Sequence, residues 1–200
     1  MFFLNTQMSD YKNRQHLPKN GKVTSRSKTD AENEHRARYI LAQHFRCNVD
    51  VFSDDSHCLI DFAAKKPNGE IAALFEFKKR GGNHDDWQYK RGYWLPLIKL
   101  DGLVKHGIHE RKEHGLPYIT DLIYCWGFND LMLYINVQKE KIWHLPIVTQ
   151  GTNYKLNHRA DGGKEPFHLI PQNHPGIKKI EPHGFDLPWR YGHEFHPWVL

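Results

Sequence analysis

A tight turn between two apolar segments constrains the fold of this chain more than any other feature of its sequence. Asn68 and Gly69 lie inside the turn at residues 67–70, which separates residues 58–64 from residues 71–78. Asn-Gly favours a two-residue turn whose twist matches that of antiparallel strands. The sequence therefore predicts a β-hairpin with those two segments as its strands.

The returning strand of this hairpin has two different faces, because side chains alternate along a strand. One face is apolar throughout and consists of Ile71, Ala73, Phe75 and Phe77. The other face begins with Ala72 and Leu74 and ends with Glu76 and Lys78. Asp61 belongs to the first strand, so the hairpin is expected to bring Asp61 close to Glu76 and Lys78.

A helix is predicted before the hairpin. Thr29 and Glu32 form a capping-box pattern at its start. Its apolar face consists of Ala37, Ile40, Leu41, His44 and Phe45, which recur at helical spacing. Helical phase directs Glu34 toward this face and Glu32 away from it. Glu34 is therefore the carboxylate that we expect to be partly buried.

A second helix and further strands are predicted after the hairpin. Residues 79–91 have a loop composition, and Pro96 then begins a helix that Gly115 and Pro117 end. The apolar stripe of that helix consists of Leu97, Leu100, Val104 and Ile108. Strands are predicted at residues 119–126 and 131–137, with a shorter one within 142–148 and an edge strand at 167–171. This order of elements predicts an α/β fold with a mixed central sheet and a helix on each side.

The chain of 200 residues suits one domain with appended segments. Residues 1–28 are polar and basic, and we interpret them as a flexible arm, either a solvated tail or a phosphate-binding extension. Residues 29–150 form the predicted core. Residues 151–200 are rich in Gly, Pro, Asn and His, and we expect a largely irregular extension packed on the same domain.

Asp61, the triplet Glu76-Phe77-Lys78 and the order of predicted elements resemble the PD-(D/E)XK nuclease superfamily. Its restriction-endonuclease-like core has the same helix–hairpin–helix–strand order, and the resemblance covers residues 29–137. Ile60 stands where the name of the family has proline. The resemblance implies that Asp61 and Glu76 bind a metal ion, with Lys78 as catalytic base or water-positioning residue.

Two further positions match residues found in parts of that superfamily. Glu34 matches an extra acidic residue that many members carry on the first helix, which implies a third metal ligand. Lys99 resembles a further polar position of a phage and bacterial branch, which implies a supporting role in catalysis. The resemblance therefore implies a Mg²⁺-dependent nuclease, with Mn²⁺ as a substitute, that is bacterial or phage-encoded.

The chemistry of the residue types is compatible with that function. Asp61 and Glu76 supply hard oxygen ligands, and Mg²⁺ commonly takes one or two carboxylates besides waters and phosphate oxygens. A bound ion polarises a phosphate and lowers the pKa of water. Lys78 can orient that water or stabilise the charge that develops on the phosphate. The alternative is a surface hairpin with a solvated Glu–Lys pair, since Glu-X-Lys often occurs by chance.

The charge of the chain favours an anionic partner, because the formal net charge is +5 and the pI is about 9.0. Four cations, Lys79, Arg80, Lys90 and Arg91, are interleaved with Trp87, Tyr89, Tyr93 and Trp94. This pattern suits phosphate contact and base stacking. The alternative is a solvated loop anchored by aromatic residues, and Asp85 and Asp86 argue against a purely cationic surface. DNA is the expected partner and RNA the alternative, and duplex cutting would favour a homodimer.

Two other functions remain open: a catalytically silent nucleic-acid-binding module, and a phage-type inhibitor that docks through its aromatic C-terminal segment. Zinc at His183, His193 and His196 is a weaker hypothesis, because structural zinc sites usually include cysteines. The sequence has no Gly-rich phosphate loop and no G-x-S-x-G elbow. Three cysteines without CxxC spacing favour a reduced cytoplasm. The absence of an apolar run near about 20 residues predicts no membrane span.

Overall fold

The computed structural model describes residues 28–52, 58–113, 121–151 and 164–181. In chain order these residues form α1 (Lys28–Phe45), β1 (Asn48–Val51), β2 (Phe62–Lys65), β3 (Ile71–Lys79), β4 (Tyr93–Pro96), α2 (Leu97–Glu113), β5 (Asp121–Gly127), β6 (Met132–Asn136), β7 (Ile147–Gly151), β8 (Lys164–Ile170) and β9 (Lys178–Ile180). Neither of these helices is long and apolar enough to cross a membrane. The described part of the chain is therefore an α/β fold, as predicted.

The main sheet has six strands in the order β1-β2-β3-β5-β6-β9. Its first three strands are antiparallel neighbours, β3 and β5 are parallel, and β6 pairs antiparallel with β5 and β9. The parallel pair requires a crossover between β3 and β5, and that crossover contains α2. The predicted mixed sheet is confirmed, and the predicted hairpin is its β2–β3 pair.

The turn of the hairpin depends on Gly69, whose φ of +86° lies in the left-handed region. The register aligns Phe62 with Phe75, and a bulge follows Ala64. β2 extends over fewer residues than predicted, since it begins at Phe62 rather than near Cys58. The backbone of the chain before Phe62 nevertheless stays close to β3, which matters for the site described below.

Two apolar clusters cover the opposite faces of the main sheet, because neighbouring residues of each strand belong to different clusters. Between the sheet and α1 lie Ala37, Ile40, Leu41, Phe62, Phe75, Phe77, Ile123 and Cys125. Between the sheet and α2 lie Leu100, Leu103, Leu74, Leu122, Tyr124 and Trp126. We call these two sides the α1 face and the α2 face. Each fully buried large apolar side chain contributes about 1.5–3 kcal/mol, so these clusters hold both helices on the sheet.

A second sheet has three strands in the order β4-β8-β7. The prediction of an edge strand at residues 167–171 is wrong, because β8 is the central strand and pairs with both β4 and β7. The shorter strand expected within 142–148 is also different, since Ile142–His144 is a 3₁₀ turn that precedes β7. β1, β4 and β9 were not expected, and β9 lies in the segment that was predicted to be irregular. Residues 1–27 of the arm, Gly115, Pro117, and the histidines and aromatic residues beyond 181 lie outside the described residues.

Candidate active site

Asp61 immediately precedes β2, and the register between β2 and β3 ends at the pair of Phe62 with Phe75. The Asp61 amide donates to the Phe75 carbonyl at 3.0 Å. The Phe77 amide in turn donates to Oδ2 of Asp61 at 2.8 Å. β2 leaves the ladder at this point, so the Asp61 side chain supplies an acceptor for an interior amide of β3. This bond holds the Asp61 carboxylate beside Glu76.

Glu76 is a carboxylate in the interior of the sheet, with only 1% of its surface exposed. It lies between Phe75 and Phe77 on β3. Because it is two residues after Leu74, it shares the α2 face with Leu74. Lys99 of α2 forms an ion pair with Glu76 through Nζ and Oε1. Within the described part of the chain, Oε2 of Glu76 has no hydrogen-bond partner. One oxygen of this buried carboxylate therefore has an ion-pair partner, and the other has no described hydrogen-bond partner.

The environment of Glu76 opposes its ionisation. The pKa of Glu76 is raised from its ordinary value of 4.5 to about 8, first by burial and then by the negative charge of Asp61. The positive charges of Lys99 and Lys78 act in the opposite direction and lower the pKa of Glu76. Burial is the largest of these effects, so the carboxylate needs more positive charge than the two lysines provide.

The two lysines occupy different positions around Glu76. Lys78 is exposed near the end of β3, two residues after Glu76 and on the same face. Lys99 approaches from the first turn of α2 and has 27% of its side chain exposed. The structure thus brings together Asp61, Glu76, Lys78 and Lys99, which the sequence singled out from four separate positions.

Tyr124 is a member of this neighbourhood that sequence reasoning missed. It is aligned with Glu76 in the parallel β3–β5 pair, and it is fully buried on the α2 face. Its hydroxyl has no hydrogen-bond partner in the part of the chain that the structure describes. Burial raises the pKa of Tyr124 well above its ordinary value, and the nearby charges of Arg80, Glu76 and Asp61 also act on it. The only signal in the sequence is a tyrosine inside an otherwise apolar predicted strand.

Glu34 lies on α1, which packs on the opposite face of the sheet from Lys99. Glu34 and Glu32 are both half-buried, and the most buried polar residue of this turn is Asn33. Glu34 was expected to be more buried than Glu32, but both residues are half-buried. The role of Glu34 as a metal ligand stays a prediction.

The four basic residues predicted to bind nucleic acid divide into two pairs. Lys79 donates from Nζ to the Arg80 carbonyl at 2.9 Å and to Oδ1 of Asn129 at 3.0 Å. Burial lowers the pKa of Lys79 to about 7, although Asp130 acts in the opposite direction. Arg80 donates from Nη2 to the Trp94 carbonyl at 2.8 Å. These two side chains hold the chain after β3 in place, whereas Lys90 and Arg91 are exposed.

A cluster of His84, Asp85 and Asp130 is a second feature that the sequence did not indicate. The ligand atoms of the three residues lie within 4.8 Å of one another. His84 Nδ1 is 2.5 Å from Oδ2 of Asp130, and the His84 amide donates to Oδ1 at 3.0 Å. Burial raises the pKa of Asp130, but the hydrogen bonds from His84 outweigh it and the net shift is downward. These contacts join the loop after β3 to the turn between β5 and β6.

Two buried oxygens without described partners distinguish the Glu76 region from an ordinary core. A buried polar atom that lacks a hydrogen bond costs about 1–3 kcal/mol, so a ligand, an ion or water is the usual explanation. Asp61 and Glu76 are hard oxygen donors, and the residual negative charge of the pair suits a divalent cation. The residues present therefore fit a site for Mg²⁺ or Mn²⁺.

In comparisons with protein-family models, curated proteins and solved structures, nothing matches this chain. The candidate function consequently depends on the site itself.

Proposed function

We propose that the protein is a metal-dependent nuclease that hydrolyses phosphodiester bonds in DNA. The observation that carries this proposal is Glu76, a carboxylate placed in the core with one oxygen unpartnered among the described residues. A Glu at a core position is costly compared with an apolar residue. The negative charge of nearby Asp61 increases that cost. Two adjacent carboxylates in such a position are typical of a site that binds a cation.

Asp61 and Glu76 would hold the metal ion, which when bound polarises a phosphate and lowers the pKa of water. Asp61 is oriented for this by the Phe77 amide, which donates to its Oδ2 at 2.8 Å. Lys78 lies at the exposed end of the same face, where it would orient the attacking water or stabilise charge on the phosphate. Lys99 neutralises part of the Glu76 charge. Glu34 is the proposed further metal ligand.

We also propose that the core belongs to the restriction-endonuclease-like class. In support, α1, the β2–β3 hairpin, α2 and β5 occur in the helix–hairpin–helix–strand order of that class, with β1 and β4 as additional strands between them. β5 is parallel to β3, so it lies beside the strand that carries Glu76 and Lys78. Asp61 immediately precedes β2 and Glu76 lies on the neighbouring strand β3, so the two carboxylates lie near each other, as the proposed chemistry requires.

The proposal is tested on the purified full chain with duplex DNA, single-stranded DNA and RNA. We expect cleavage with Mg²⁺ or Mn²⁺ and none with EDTA. Lys78→Ala should lower the rate by about 100-fold or more, because it removes a cation from the reacting phosphate. Lys66→Ala is the matched control, since Lys66 lies in the exposed turn of the same hairpin. Equal cleavage by the wild type and Lys78→Ala, or no cleavage of any substrate, contradicts the proposal.

A catalytically silent nucleic-acid-binding module is the second candidate, and the Lys99–Glu76 ion pair favours it. This pair supplies a counter-charge to Glu76 without any metal ion, as a metal-independent fold would need. Metal titration separates the two functions. A silent module should bind DNA equally in EDTA and in Mg²⁺, and it should show no proton-linked metal binding at Glu76.

A further inference from the structure

Trp87 presents its indole to solvent, with 81% of its surface exposed. The other exposed large apolar residues of the described chain are between 40% and 46% exposed. Trp87 begins a 3₁₀ turn, Trp87–Tyr89, in the loop that connects β3 with β4. A single exposed apolar residue is common on protein surfaces. The surroundings of Trp87 must therefore decide whether its exposure has a function.

The loop that carries Trp87 is held by its own hydrogen bonds. The Asn83 amide donates to Oδ2 of Asp86 at 2.8 Å. The Tyr89 hydroxyl donates to the Gly81 carbonyl at 2.7 Å, and Nε2 of Gln88 donates to the same carbonyl at 3.1 Å. Exposure of the indole is thus a property of an ordered loop, because residues on both sides of Trp87 are fastened to the start of the loop.

The loop leaves no space for a side chain at Gly82. Gly82 has a φ of +74°, and a Cβ at this position would collide with the Asp86 carboxylate. The Asn129 amide donates to the Gly82 carbonyl at 2.9 Å, which attaches the loop to the turn after β5. The base of the loop is therefore rigid relative to the main sheet.

The other aromatic residues of this segment pack inward. Tyr93 is buried against Trp126 and Phe128, and Tyr89 contacts Phe128. Trp94 stacks on Phe167 of β8. Of the four aromatic residues that alternate with cations in this segment, Trp87 alone presents its ring to solvent.

The charge around Trp87 is mixed but leaves cations available. Lys90 and Arg91 follow the 3₁₀ turn and are exposed. The Asp86 carboxylate accepts a bond from the Asn83 amide and Asp130 is paired with His84, while Asp85 is exposed. The chain as a whole carries a formal charge of +5. An anionic partner is consequently favoured over a cationic one.

The loop begins next to the proposed active site. Lys79 is the last residue of β3, and Arg80 is fixed to the Trp94 carbonyl at 2.8 Å. The strand rise of about 3.3 Å per residue separates the Cα atoms of Glu76 and Arg80 by about 13 Å. A nucleic acid strand at Glu76 thus reaches the base of this loop within a few nucleotides.

We propose that Trp87 is a stacking platform for an unpaired base of a nucleic acid, with Lys90 and Arg91 contacting the neighbouring phosphates. An indole face stacks on any base, whereas bases inside a duplex already stack on one another. The preferred substrate is therefore single-stranded DNA, or DNA with unpaired bases beside the cleavage site. The inference depends on the proposed nucleic-acid substrate but does not depend on cleavage.

The test measures binding of the full-length protein to a fluorescein-labelled single strand by anisotropy, in EDTA. Trp87→Ala should weaken binding by about 5- to 150-fold, the range measured for the loss of one stacked base. Trp87→Phe should retain most of the affinity, because it keeps an aromatic face. Tyr39→Ala is the matched control, since Tyr39 is an aromatic residue that is 40% exposed on α1. It should bind like the wild type.

A second strand that contains abasic sites separates stacking from other effects. The wild type should bind the abasic strand as weakly as Trp87→Ala binds the normal strand. On the abasic strand, Trp87→Ala should bind with the same affinity as the wild type. Trp87→Ala should also leave the salt dependence unchanged, while Lys90→Ala and Arg91→Ala should each reduce its slope by about 0.7. Thermal unfolding of Trp87→Ala should match that of the wild type, because the indole is exposed.

Three results overturn the stacking proposal. The first is no binding of the wild type to the single strand, and the second is binding of that strand by Trp87→Ala within twofold of the wild type. The third is that Trp87→Ala weakens binding to the abasic strand as much as it weakens binding to the normal strand. Cleavage in Mg²⁺ is measured separately on the same proteins. If the protein cleaves DNA but binds the single strand independently of Trp87, the stacking proposal is rejected and the nuclease proposal is retained. If binding depends on Trp87 but no cleavage occurs, the nuclease proposal is rejected and the stacking proposal is retained.

Discussion

Replacing Glu76 with glutamine should remove the contribution of this residue to the pH dependence of stability that the metal-free protein has between pH 4.5 and about 8. The pKa of Glu76 in the folded chain is raised from 4.5 to about 8, chiefly by burial. Within that interval the folded state holds a proton that the unfolded state has released. Stability from this residue is therefore fully present below the unfolded pKa and is lost as the pH rises through the folded one.

The magnitude follows from the width of that interval. At about 1.4 kcal/mol per pH unit, the change from 4.5 to about 8 corresponds to on the order of 5 kcal/mol. Small domains have a total free energy of unfolding of about 5–15 kcal/mol, so the effect is large enough to measure. Glutamine has almost the same shape as a protonated glutamate and does not ionise. The variant should consequently resemble the wild type at acid pH and exceed its stability at alkaline pH.

The assay is urea unfolding in EDTA from about pH 4.5 to about pH 8.5 for the wild type, Glu76→Gln and Glu70→Gln. Glu70 is the matched control, because it lies in the turn of the same hairpin and pairs with Lys66 at 3.0 Å. Subtraction of the wild-type curve cancels the titration of groups that do not interact with Glu76. A difference that stays constant across the whole interval for Glu76→Gln would refute the reasoning, as would an equal slope for Glu70→Gln.

Mn²⁺ should bind the wild type more weakly as the pH falls below about 8, by about tenfold per pH unit, because binding must displace the proton of Glu76. Calorimetry in buffers of different ionisation enthalpy measures the proton release, and pH-independent binding would contradict the prediction. Lys99→Met should destabilise the metal-free protein by about 1–3 kcal/mol at alkaline pH, because it leaves the buried Glu76 carboxylate without its partner. The loss should be smaller at acid pH, where Glu76 is neutral. Thermal melts at two pH values check this, and equal losses would count against the ion pair. Asp61→Ala should cost about 1–3 kcal/mol more in unfolding free energy than Asp61→Asn, which keeps an acceptor for the Phe77 amide, while both should lose cleavage.

The hairpin and the two faces of β3 could be predicted from the sequence because both depend on local signals. Asn-Gly specifies the turn, and a period of two separates Phe75 and Phe77 from Glu76. The burial of Glu76 could not be predicted, because alternation gives the side of the strand and not what covers that side. The cover comes from α2 and from the parallel partner β5, which are distant in sequence.

The basic residues after the hairpin show where local reasoning fails. The sequence predicts a loop from Lys79 onward, but the parallel pairing continues to Lys79, which is aligned with Gly127. Lys79 therefore bonds to Asn129 within the fold, and the side chain is not directed to solvent. β4 was missed for a similar reason. Its pairing partner β8 is separated from it by more than sixty residues, and Pro96 at its end favoured a helix start.

Tyr124 offers a way to decide whether the buried polar atoms around Glu76 serve a ligand or only the fold. Its hydroxyl lies in the core without a described partner, so Tyr124→Phe should stabilise the metal-free protein or leave it unchanged. If the hydroxyl meets water or phosphate oxygens when metal is bound, the same substitution should lower cleavage while metal-free stability is retained. Tyr134→Phe is the matched control, since Tyr134 lies on the α1 face and bonds to His44 at 3.3 Å. Loss of stability in Tyr124→Phe without metal would show that the hydroxyl is satisfied inside the fold, and the ion pair of Lys99 with Glu76 would then be sufficient to explain the site.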